Sequence, residues 1–400
     1  MIEKPIKFFI IAGESSGDII GGKLIAEIKE HFSKNNQPEF IGIGGANMQE
    51  QGLESIFPMS DLNIMGFFEI IPHIPKILFR INQTINKILY EKPDYLITID
   101  SPDFSFRVLD KLLKKIKNNP KFTNNFAKLK KTHIIAPSVW AYRKKRAQKI
   151  AKLYNLLLAI LPFEPPYFEK YGLKTIFIGN PIIEKIPNYT KKSELRLKFQ
   201  SQNNIKKNDF VILMTPGSRI SEVKRIMPEF INALNLMYQE NTNIMSVILV
   251  TDKTRKVASQ LAKKLQCNYS LISSTDKDIA LFSADFALAK SGTNTIELAL
   301  YKIPMIIAYK VNILTYLILK PLIKVKYVNI LNLILNKKII TELIQENCNA
   351  KLIFEELRHL MLNKEVCERQ ISDSEFALDI LGLNSAKSPS NKAAAEILKL

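Results

Sequence analysis

Apolar residues occur along this chain in short continuous runs, and each run is followed by a longer stretch in which they recur every three or four positions. The short runs are typical of strands buried on both faces, and the longer spacing is typical of amphipathic helices. Strands that alternate with helices predict parallel sheets, and therefore an α/β fold. The predicted strands cover residues 8–12, 40–43, 95–99, 133–136, 156–161, 175–178, 211–214, 245–250, 286–289 and 304–308.

Two polar segments, 187–192 and 200–208, separate the halves of this pattern. A chain of 400 residues is longer than one typical core, so we expect two domains, at 1–186 and 209–365, joined by a linker at 187–208. Residues from about 336 onward look helical, and we expect 366–400 to form a helical tail that packs on the N-terminal domain or on a partner subunit. The basic segment 117–125 is expected to be an exposed loop, with lipid or nucleic-acid contact as the alternative.

The charge is strongly basic, with 57 Lys and Arg against 38 Asp and Glu and a net charge of +19. Such a surplus attracts nucleic acid, acidic lipid surfaces or phosphorylated substrates. Lys, Ile and Asn are abundant throughout, so compositional drift is an alternative explanation. The three cysteines and four histidines lack the spacing of a disulfide framework or a metal site, which favours a reducing cytoplasm and no dedicated metal.

No apolar run reaches the roughly 18 residues of a membrane span, and the first run is too short for a secretory signal. We therefore expect a soluble protein or one that lies on a membrane surface.

The most informative turn follows the strand at 286–289. Gly292 would let the backbone approach a ligand closely, and Ser291, Thr293 and Thr295 supply hydroxyl groups at the start of a helix, where an anion is stabilised. Glu297, one turn later, could accept hydrogen bonds from a ribose beside a phosphate. An ordinary capped helix explains the same residues equally well.

A second turn of this kind follows the strand at 211–214, where Gly217, Ser218 and Arg219 again precede a helix. Arginine offers a forked set of donors that suits a pyrophosphate. Two such turns in one sheet predict a nucleotide site in the second domain.

The turns of the first domain carry different chemistry. The segment Ala12-Gly-Glu-Ser-Ser-Gly-Asp18 resembles a phosphate or sugar loop but lacks the Lys of an ATP-binding loop. Asp100, at a strand end, could act as a general base, and Asp103 is expected to cap a helix. Trp140, the single tryptophan, could stack on a sugar ring or pack between domains.

Taken in order, these segments resemble the lipid A disaccharide synthase family of inverting glycosyltransferases over nearly the whole chain. The marks of the resemblance are residues 12–18, 99–104, 137–141, 161–164, 216–219, 291–297 and 329–333. It implies a GT-B fold, in which two Rossmann-like domains face a cleft, the first binding the acceptor lipid and the second the UDP-sugar. It also implies an enzyme on the cytoplasmic face of the inner membrane that requires no metal and no cofactor.

The resemblance implies transfer of a diacylglucosamine unit from UDP-2,3-diacylglucosamine to 2,3-diacylglucosamine 1-phosphate. Asp100 matches the base that would deprotonate the acceptor hydroxyl. The residues expected near UDP are Gly217, Ser218, Arg219, Ser291, Gly292, Thr293, Glu297 and Asn332. The residues expected at the acceptor or sugar are Glu14, Ser15, Gly17, Asp18 and Trp140.

The chain departs from the family pattern at two positions. Family members often have Trp where Tyr142 stands and His where Asn180 stands, so no acid or base role is carried onto position 180. The segment 117–125 also looks longer than usual.

Acyl chains must leave water, and two apolar segments with interspersed bases, 62–79 and 309–335, could receive them or lie in an anionic membrane interface. The contacts expected there are Phe67, Phe68, Leu317, Lys320 and Lys324. A buried core or the interface of a homodimer is the alternative for both segments.

Three rival functions remain open. Within enzymes, the alternative is another GT-B UDP-sugar transferase or a UDP-sugar epimerase. An epimerase would share the fold but need different acid and base residues. A nucleic-acid-binding protein would explain the charge, although no recognised reading module supports it. A membrane-associated scaffold would leave the nucleotide turns unexplained.

Overall fold

The computed structural model describes residues 4–62, 73–141, 145–203, 205–206, 209–240, 243–312, 316 and 325–400. The chain divides into two compact units, one formed by Met1–Pro181 with Asn384–Leu400 and the other by Ile182–Leu383. Within the described part of the chain, no helix is long and apolar enough to cross a membrane.

The first unit is built on a parallel sheet of seven strands in the order β3-β2-β1-β4-β5-β6-β7. The strands are β1 Lys7–Ala12, β2 Glu39–Ile43, β3 Glu54–Ser55, β4 Tyr95–Ile99, β5 Lys130–Ile134, β6 Leu156–Ala159 and β7 Lys174–Phe177. The helices that connect them are α1 Ser15–Glu30, α2 Ala46–Glu50, α3 Ile74–Glu91, α4 Pro102–Lys117, α5 Pro120–Asn125, α6 Arg146–Ala151 and α7 Pro166–Glu169.

Both faces of this sheet are covered. Successive side chains of a strand point to opposite faces, and in β1 Phe9 and Ile11 lie in one core cluster whereas Phe8 and Ile10 lie in another. This double burial explains why the strand is continuously apolar in sequence.

The second unit contains a parallel sheet of six strands in the order β10-β9-β8-β11-β12-β13. The strands are β8 Phe210–Thr215, β9 Ile244–Val250, β10 Asn268–Ser273, β11 Phe286–Lys290, β12 Met305–Tyr309 and β13 Glu342–Ile344. The helices are α8 Lys192–Gln202, α9 Ile220–Glu240, α10 Asp252–Ala262, α11 Lys277–Ser283, α12 Asn294–Leu300, α13 Ile330–Leu335, α14 Ala350–Leu362 and α15 Lys364–Ile380. One-turn 3-10 helices occur at Met59–Asp61, Pro181–Glu184, Tyr189–Lys191 and Gln345–Asn347.

The two sheets share one topology. In each, the first strand lies in the middle, the next two strands extend to one side and the later strands extend to the other. The direction of winding therefore reverses between β1 and β4, and again between β8 and β11. Open α/β sheets bind ligands at such a reversal, beyond the carboxyl ends of the strands.

The structure confirms the α/β fold and the ten strands expected from the sequence, and it adds β3, β10 and β13. Two of these are short, and β10 (Asn-Tyr-Ser-Leu-Ile-Ser) has no fully buried residue, so none gives the apolar run of a central strand. The expectation that the chain is helical from about residue 336 onward was wrong at Glu342–Ile344, which form the strand β13. The exposed segment 117–125 contains the short helix α5, because the Asn119 side chain accepts a hydrogen bond from the Lys121 amide and Pro120 occupies the first turn.

The C-terminal residues divide between the units. Helix α15 packs on α12 and α13 in the second unit, and the last helix, α16 Pro389–Leu398, packs on α1 in the first. Ala393, Ala394 and Ile397 of α16 are buried against the sheet, and Asn391 Nδ2 donates to Glu27 Oε2 at 2.8 Å. In the segment expected to be a linker, α8 packs on α11 within the second unit.

Candidate active site

Two turns of the first unit lie side by side at the reversal point of its sheet. Ala12 pairs with Ile99, so β1 and β4 end at the same level and their following turns are neighbours. A Cβ atom on Gly13 would lie only 2.9 Å from the Cβ of Ser101. Glycine at position 13 therefore allows the turn that leads to Glu14, Ser15 and Gly17 to pack against the turn that holds Asp100.

Asp100 and Ser101 both have left-handed backbone conformations, with φ of 51° and 45°. Such angles are uncommon outside glycine, and strain of this kind clusters at functional sites. Hydrogen bonds hold the turn: the Asp100 amide donates to the Ile134 carbonyl at 3.0 Å, and Ser105 Oγ donates to the Asp100 carbonyl at 3.2 Å.

Burial raises the pKa of the Asp100 carboxyl above its usual range, and a hydrogen bond from the Ser101 backbone opposes this in part. A carboxylate with a raised pKa is a stronger base. The geometry and the electrostatics of this turn therefore both suit proton abstraction.

Asp18 has a structural role. It is 3% exposed, and its two oxygens accept four hydrogen bonds, from the amides of Gly45, Asn47 and Met48 and from Asn47 Nδ2, at 2.7 to 3.1 Å. These bonds tie the start of α2 to α1 and occupy the carboxylate, so Asp18 positions the turn and has no lone pair left for a sugar. Ser15, at the start of α1, is exposed.

Trp140 and Glu164 connect the turns that follow β5 and β6. Trp140 Nε1 donates to Glu164 Oε1 at 3.2 Å, and the Leu161 amide donates to Glu164 Oε2 at 3.0 Å. Ile135, which opens the Trp140 turn, has a φ of 75°, an outlying value for a β-branched residue. The turns that follow three adjacent strands, β4, β5 and β6, thus all carry polar or strained residues, and they lie at the carboxyl ends of these strands.

In the second unit, the turns after β8 and β11 are joined directly. Asn294 Nδ2 donates to Thr215 Oγ1 at 2.9 Å. Gly217 has a φ of 120°, which favours glycine, and a Cβ there would lie 3.0 Å from the Cβ of Glu222. Ser218 and Arg219 on the first turn and Thr293 on the second are exposed, and Gly292 is half-buried.

The other polar side chains of these turns face inward. Ser291 Oγ donates to the Val328 carbonyl at 3.1 Å, and Thr295 Oγ1 donates to the Gly292 carbonyl at 2.8 Å. Both hydroxyls shape the turn.

Asn332 is fully buried and its amide is saturated. The oxygen accepts from the Ile339 and Ile340 amides, and the nitrogen donates to the Ile340 carbonyl and to Glu342 Oε1, at 2.7 to 3.0 Å. Glu342 in turn accepts hydrogen bonds from the amides of Val328 and Asn329. Through Glu342, Asn332 therefore helps to fix the segment at Val328, whose carbonyl accepts the hydrogen bond from Ser291.

Glu297 lies in α12, one turn after Thr293, and forms an ion pair with Lys277 at 2.6 Å. Lys185 lies 3.9 Å from the same carboxylate. A ribose hydroxyl would have to share Glu297 with these cations.

Glu222 lies at the start of α9, and two cationic side chains contact the same oxygen of its carboxylate. Lys290 Nζ lies 3.2 Å from Glu222 Oε1, and Arg219 Nη1 lies 3.4 Å from it. We call Arg219, Glu222 and Lys290 the Glu222 triad.

Five expected membrane or acyl contacts, Phe67, Phe68, Leu317, Lys320 and Lys324, lie outside the described residues, as does Tyr142. Across the described ranges, no group of three or more His, Cys, Asp or Glu side chains is arranged to hold a metal ion.

The sequence reasoning missed Lys290, Glu222 and Lys277 as participants, and it gave Glu164 no role. Lys290 could have been identified from the sequence, because it directly precedes the Ser291 turn. The contact of Glu164 with Trp140 and that of Lys277 with Glu297 join separate segments of the chain, so only the folded structure brings these residues together.

Comparisons with known proteins concern the family and the fold. A family model described as lipid-A-disaccharide synthetase matches residues 8–397. A lipid-A-disaccharide synthase of Rickettsia bellii is 44% identical over 387 residues, which cover 96% of each chain.

Two solved structures are similar in fold. A UDP-GlcNAc 2-epimerase from Neisseria meningitidis, bound to UDP-GlcNAc, has a TM-score of 0.61 at 15% identity, covering 98% of this chain and 99% of that one. A glycosyltransferase from Rickettsia africae has a TM-score of 0.58 at 14% identity, covering 99% of both chains.

Proposed function

We propose that this chain, which belongs to the lipid-A-disaccharide synthase family, transfers 2,3-diacylglucosamine from its UDP carrier to 2,3-diacylglucosamine 1-phosphate, giving a β-1,6-linked disaccharide 1-phosphate and UDP. The observation that carries the proposal is the strained turn at Asp100. It presents a carboxyl group of raised pKa at the reversal point of the first sheet.

In this reaction the 6-hydroxyl oxygen of the acceptor attacks the anomeric carbon of the donor. Asp100 takes the hydroxyl proton as the new bond forms. The bond between the anomeric carbon and the β-phosphate oxygen breaks, its electron pair remains on UDP, and the configuration at the anomeric carbon inverts.

UDP gains negative charge as it leaves, and fixed donors close to that charge lower the barrier. We assign the pyrophosphate to Arg219 with the turn residues Gly217, Ser218, Gly292 and Thr293, of which Ser218 and Thr293 are exposed. Glu297 is assigned to the ribose. Ser291 and Asn332 position these groups through their internal hydrogen bonds.

On the acceptor side, we assign Glu14, Ser15 and Gly17 to the sugar and its phosphate, because their turn packs beside Asp100. Trp140 offers an aromatic face whose orientation is fixed by Glu164. Asp18 supports this turn through its hydrogen bonds to the residues at the start of α2.

Substitution at Asp100 tests the assignment. We expect Asp100→Asn to lower turnover by roughly 10²- to 10⁴-fold, because the base is lost, while the affinity for UDP stays within about twofold. The assay measures disaccharide 1-phosphate formed from the two lipid substrates.

Asp103→Asn is the matched control. Asp103 is an exposed carboxylate in the same turn, its side chain is 80% exposed, and it pairs with Arg146 at 2.7 Å. Exposed ion pairs contribute little, so we expect near-parental turnover. A similar rate for Asp100→Asn and Asp103→Asn would remove Asp100 from the mechanism.

The lipid substrates also lead us to propose peripheral binding to the cytoplasmic face of the inner membrane. At the start of α3, Ile74, Leu78 and Phe79 are 43%, 40% and 62% exposed. Apolar side chains left in water at one helix end suit insertion into a membrane interface. A homodimer is a further proposal, which sedimentation at several protein concentrations would test.

A further inference from the structure

The Glu222 triad places two cations, Arg219 and Lys290, beside the candidate nucleotide turn. Arg219 and Lys290 share one oxygen of Glu222, so two cations face one carboxylate. The side chain of Lys290 is only 20% exposed and that of Glu222 only 11%. Taking a lysine out of water is costly unless its charge is compensated, and Lys290 shares its carboxylate oxygen with Arg219.

The ammonium group of Lys290 lies at the turn itself. Lys290 ends β11 and directly precedes Ser291, and its Nζ lies 3.8 Å from where a Cβ on Gly292 would be. On another side, the ring of Tyr309 has its centroid 5.4 Å from Nζ. The side chain is therefore held over Gly292 between a carboxylate and an aromatic ring.

Its neighbour Lys310 shows what a purely structural lysine looks like in this sheet. Lys310 directly follows β12, the strand that pairs with β11, and its Nζ lies 2.9 Å from Glu229 Oε1 of α9. Both lysines thus pair with glutamates of α9, but Lys310 has a carboxylate of its own and no glycine turn beside it. Tying a strand to α9 does not require the shared arrangement seen at Lys290.

We propose that Lys290 is a second pyrophosphate-binding cation, which Glu222 holds beside the Gly292 turn and which stabilises the charge on departing UDP. This inference rests on the proposed function, because it takes UDP as the ligand of the turn. When the bond to the anomeric carbon breaks, its electron pair stays on the β-phosphate oxygen. A fixed ammonium group beside that oxygen binds UDP more tightly than it binds the intact donor.

Lys290→Gln tests the proposal, since a glutamine can still donate a hydrogen bond to Glu222 but carries no charge. We expect the dissociation constant for UDP, measured by calorimetry, to rise about ten- to hundredfold, with turnover falling as well. Affinity for UMP, which has one phosphate, should fall less. Lys290→Arg, which restores the charge, should recover most of the UDP affinity, and Lys310→Gln should bind UDP like the parent protein.

A measurement on the unsubstituted protein covers the case in which these variants fail to fold. Lysines are acetylated with an N-hydroxysuccinimide ester with and without saturating UDP, and each site is quantified by mass spectrometry. We expect UDP to lower the labelling of Lys290 at least severalfold and to leave Lys310 unchanged.

The outcomes distinguish a failure of the proposed function from a failure of the role of Lys290 alone. If the parent protein neither binds UDP nor forms the disaccharide, the proposed function fails. If the parent binds UDP but Lys290→Gln binds it within twofold of the parent, or if UDP leaves the labelling of Lys290 unchanged, only the role of Lys290 is refuted.

Discussion

At the scale of single residues, Glu164 shows how a buried acid can serve a neighbouring side chain. It is 1% exposed, and burial raises the pKa of its carboxyl to about 7, with hydrogen bonds from the Leu161 amide and from Trp140 opposing the rise. The hydrogen bond from Trp140 Nε1 also fixes the orientation of the Trp140 ring. Because Trp140 is the single tryptophan of the chain, its fluorescence reports on this site alone.

The raised pKa of Glu164 predicts a pH-dependent stability. An unfolded Glu titrates near 4.5, so between about pH 4.5 and 7 the native state holds a proton that the unfolded state has lost. The contribution of this group is therefore complete below pH 4.5 and is lost as pH rises through 7, by up to about 3 kcal/mol. Glu164→Gln should remove it and flatten the decline in unfolding free energy between pH 5 and 8.

Urea unfolding followed by Trp140 fluorescence measures this decline. Glu169→Gln changes an exposed glutamate nearby and should keep the parental pH dependence. An equally steep decline in Glu164→Gln and in the parent would show that Glu164 does not titrate in this range.

The same residues show what a sequence can and cannot predict about a site. Asp100, Arg219 and Gly292 were found because each lies in the turn that follows a strand, where ligands of parallel sheets bind. Asp18 and Asn332 were also found from sequence motifs, but the structure shows their polar groups occupied by backbone partners. A motif identifies which residues matter and leaves open whether they face the ligand or support those that do.

At the scale of elements, the central strands were easier to predict than the edge strands or the ends of helices. The central strands β1, β4, β8 and β11 are buried on both faces, so their apolar runs are continuous. The short edge strand β13 depends on pairing with β12, a long-range contact with no local signal. The capping of α5 by Asn119 was readable in principle from Asn-Pro, but the surrounding polar residues suggested a loop.

Helix α3 offers an element-scale test of membrane binding. Phe79→Ser removes an exposed aromatic side chain near the start of the helix, and we expect it to lower the fraction of protein that floats with anionic phospholipid vesicles severalfold. Tyr90→Ser is the control, because Tyr90 is 78% exposed near the other end of the same helix. Equal losses in both variants, or none in either, would contradict insertion through the start of α3.

At the scale of the whole molecule, the duplicated βαβ pattern was sufficient to predict two α/β units. The tail at 366–400 was expected to pack on the N-terminal domain or on a partner subunit. In the structure only the last helix, α16, packs on α1, through the small buried residues Ala393 and Ala394, whereas α15 packs within the second unit. The fold alone also leaves function open, because epimerases and glycosyltransferases share it. The family match, combined with the strained carboxyl at Asp100, is what favours glycosyl transfer.

The most direct test of glycosyl transfer is the dependence of UDP release on the acceptor. The purified protein is incubated with UDP-2,3-diacylglucosamine, with and without 2,3-diacylglucosamine 1-phosphate, and UDP and disaccharide are quantified together. We expect UDP to appear only with the acceptor and in equal amount to the disaccharide 1-phosphate. UDP released at the same rate without the acceptor, or donor epimerised without release, would contradict the account.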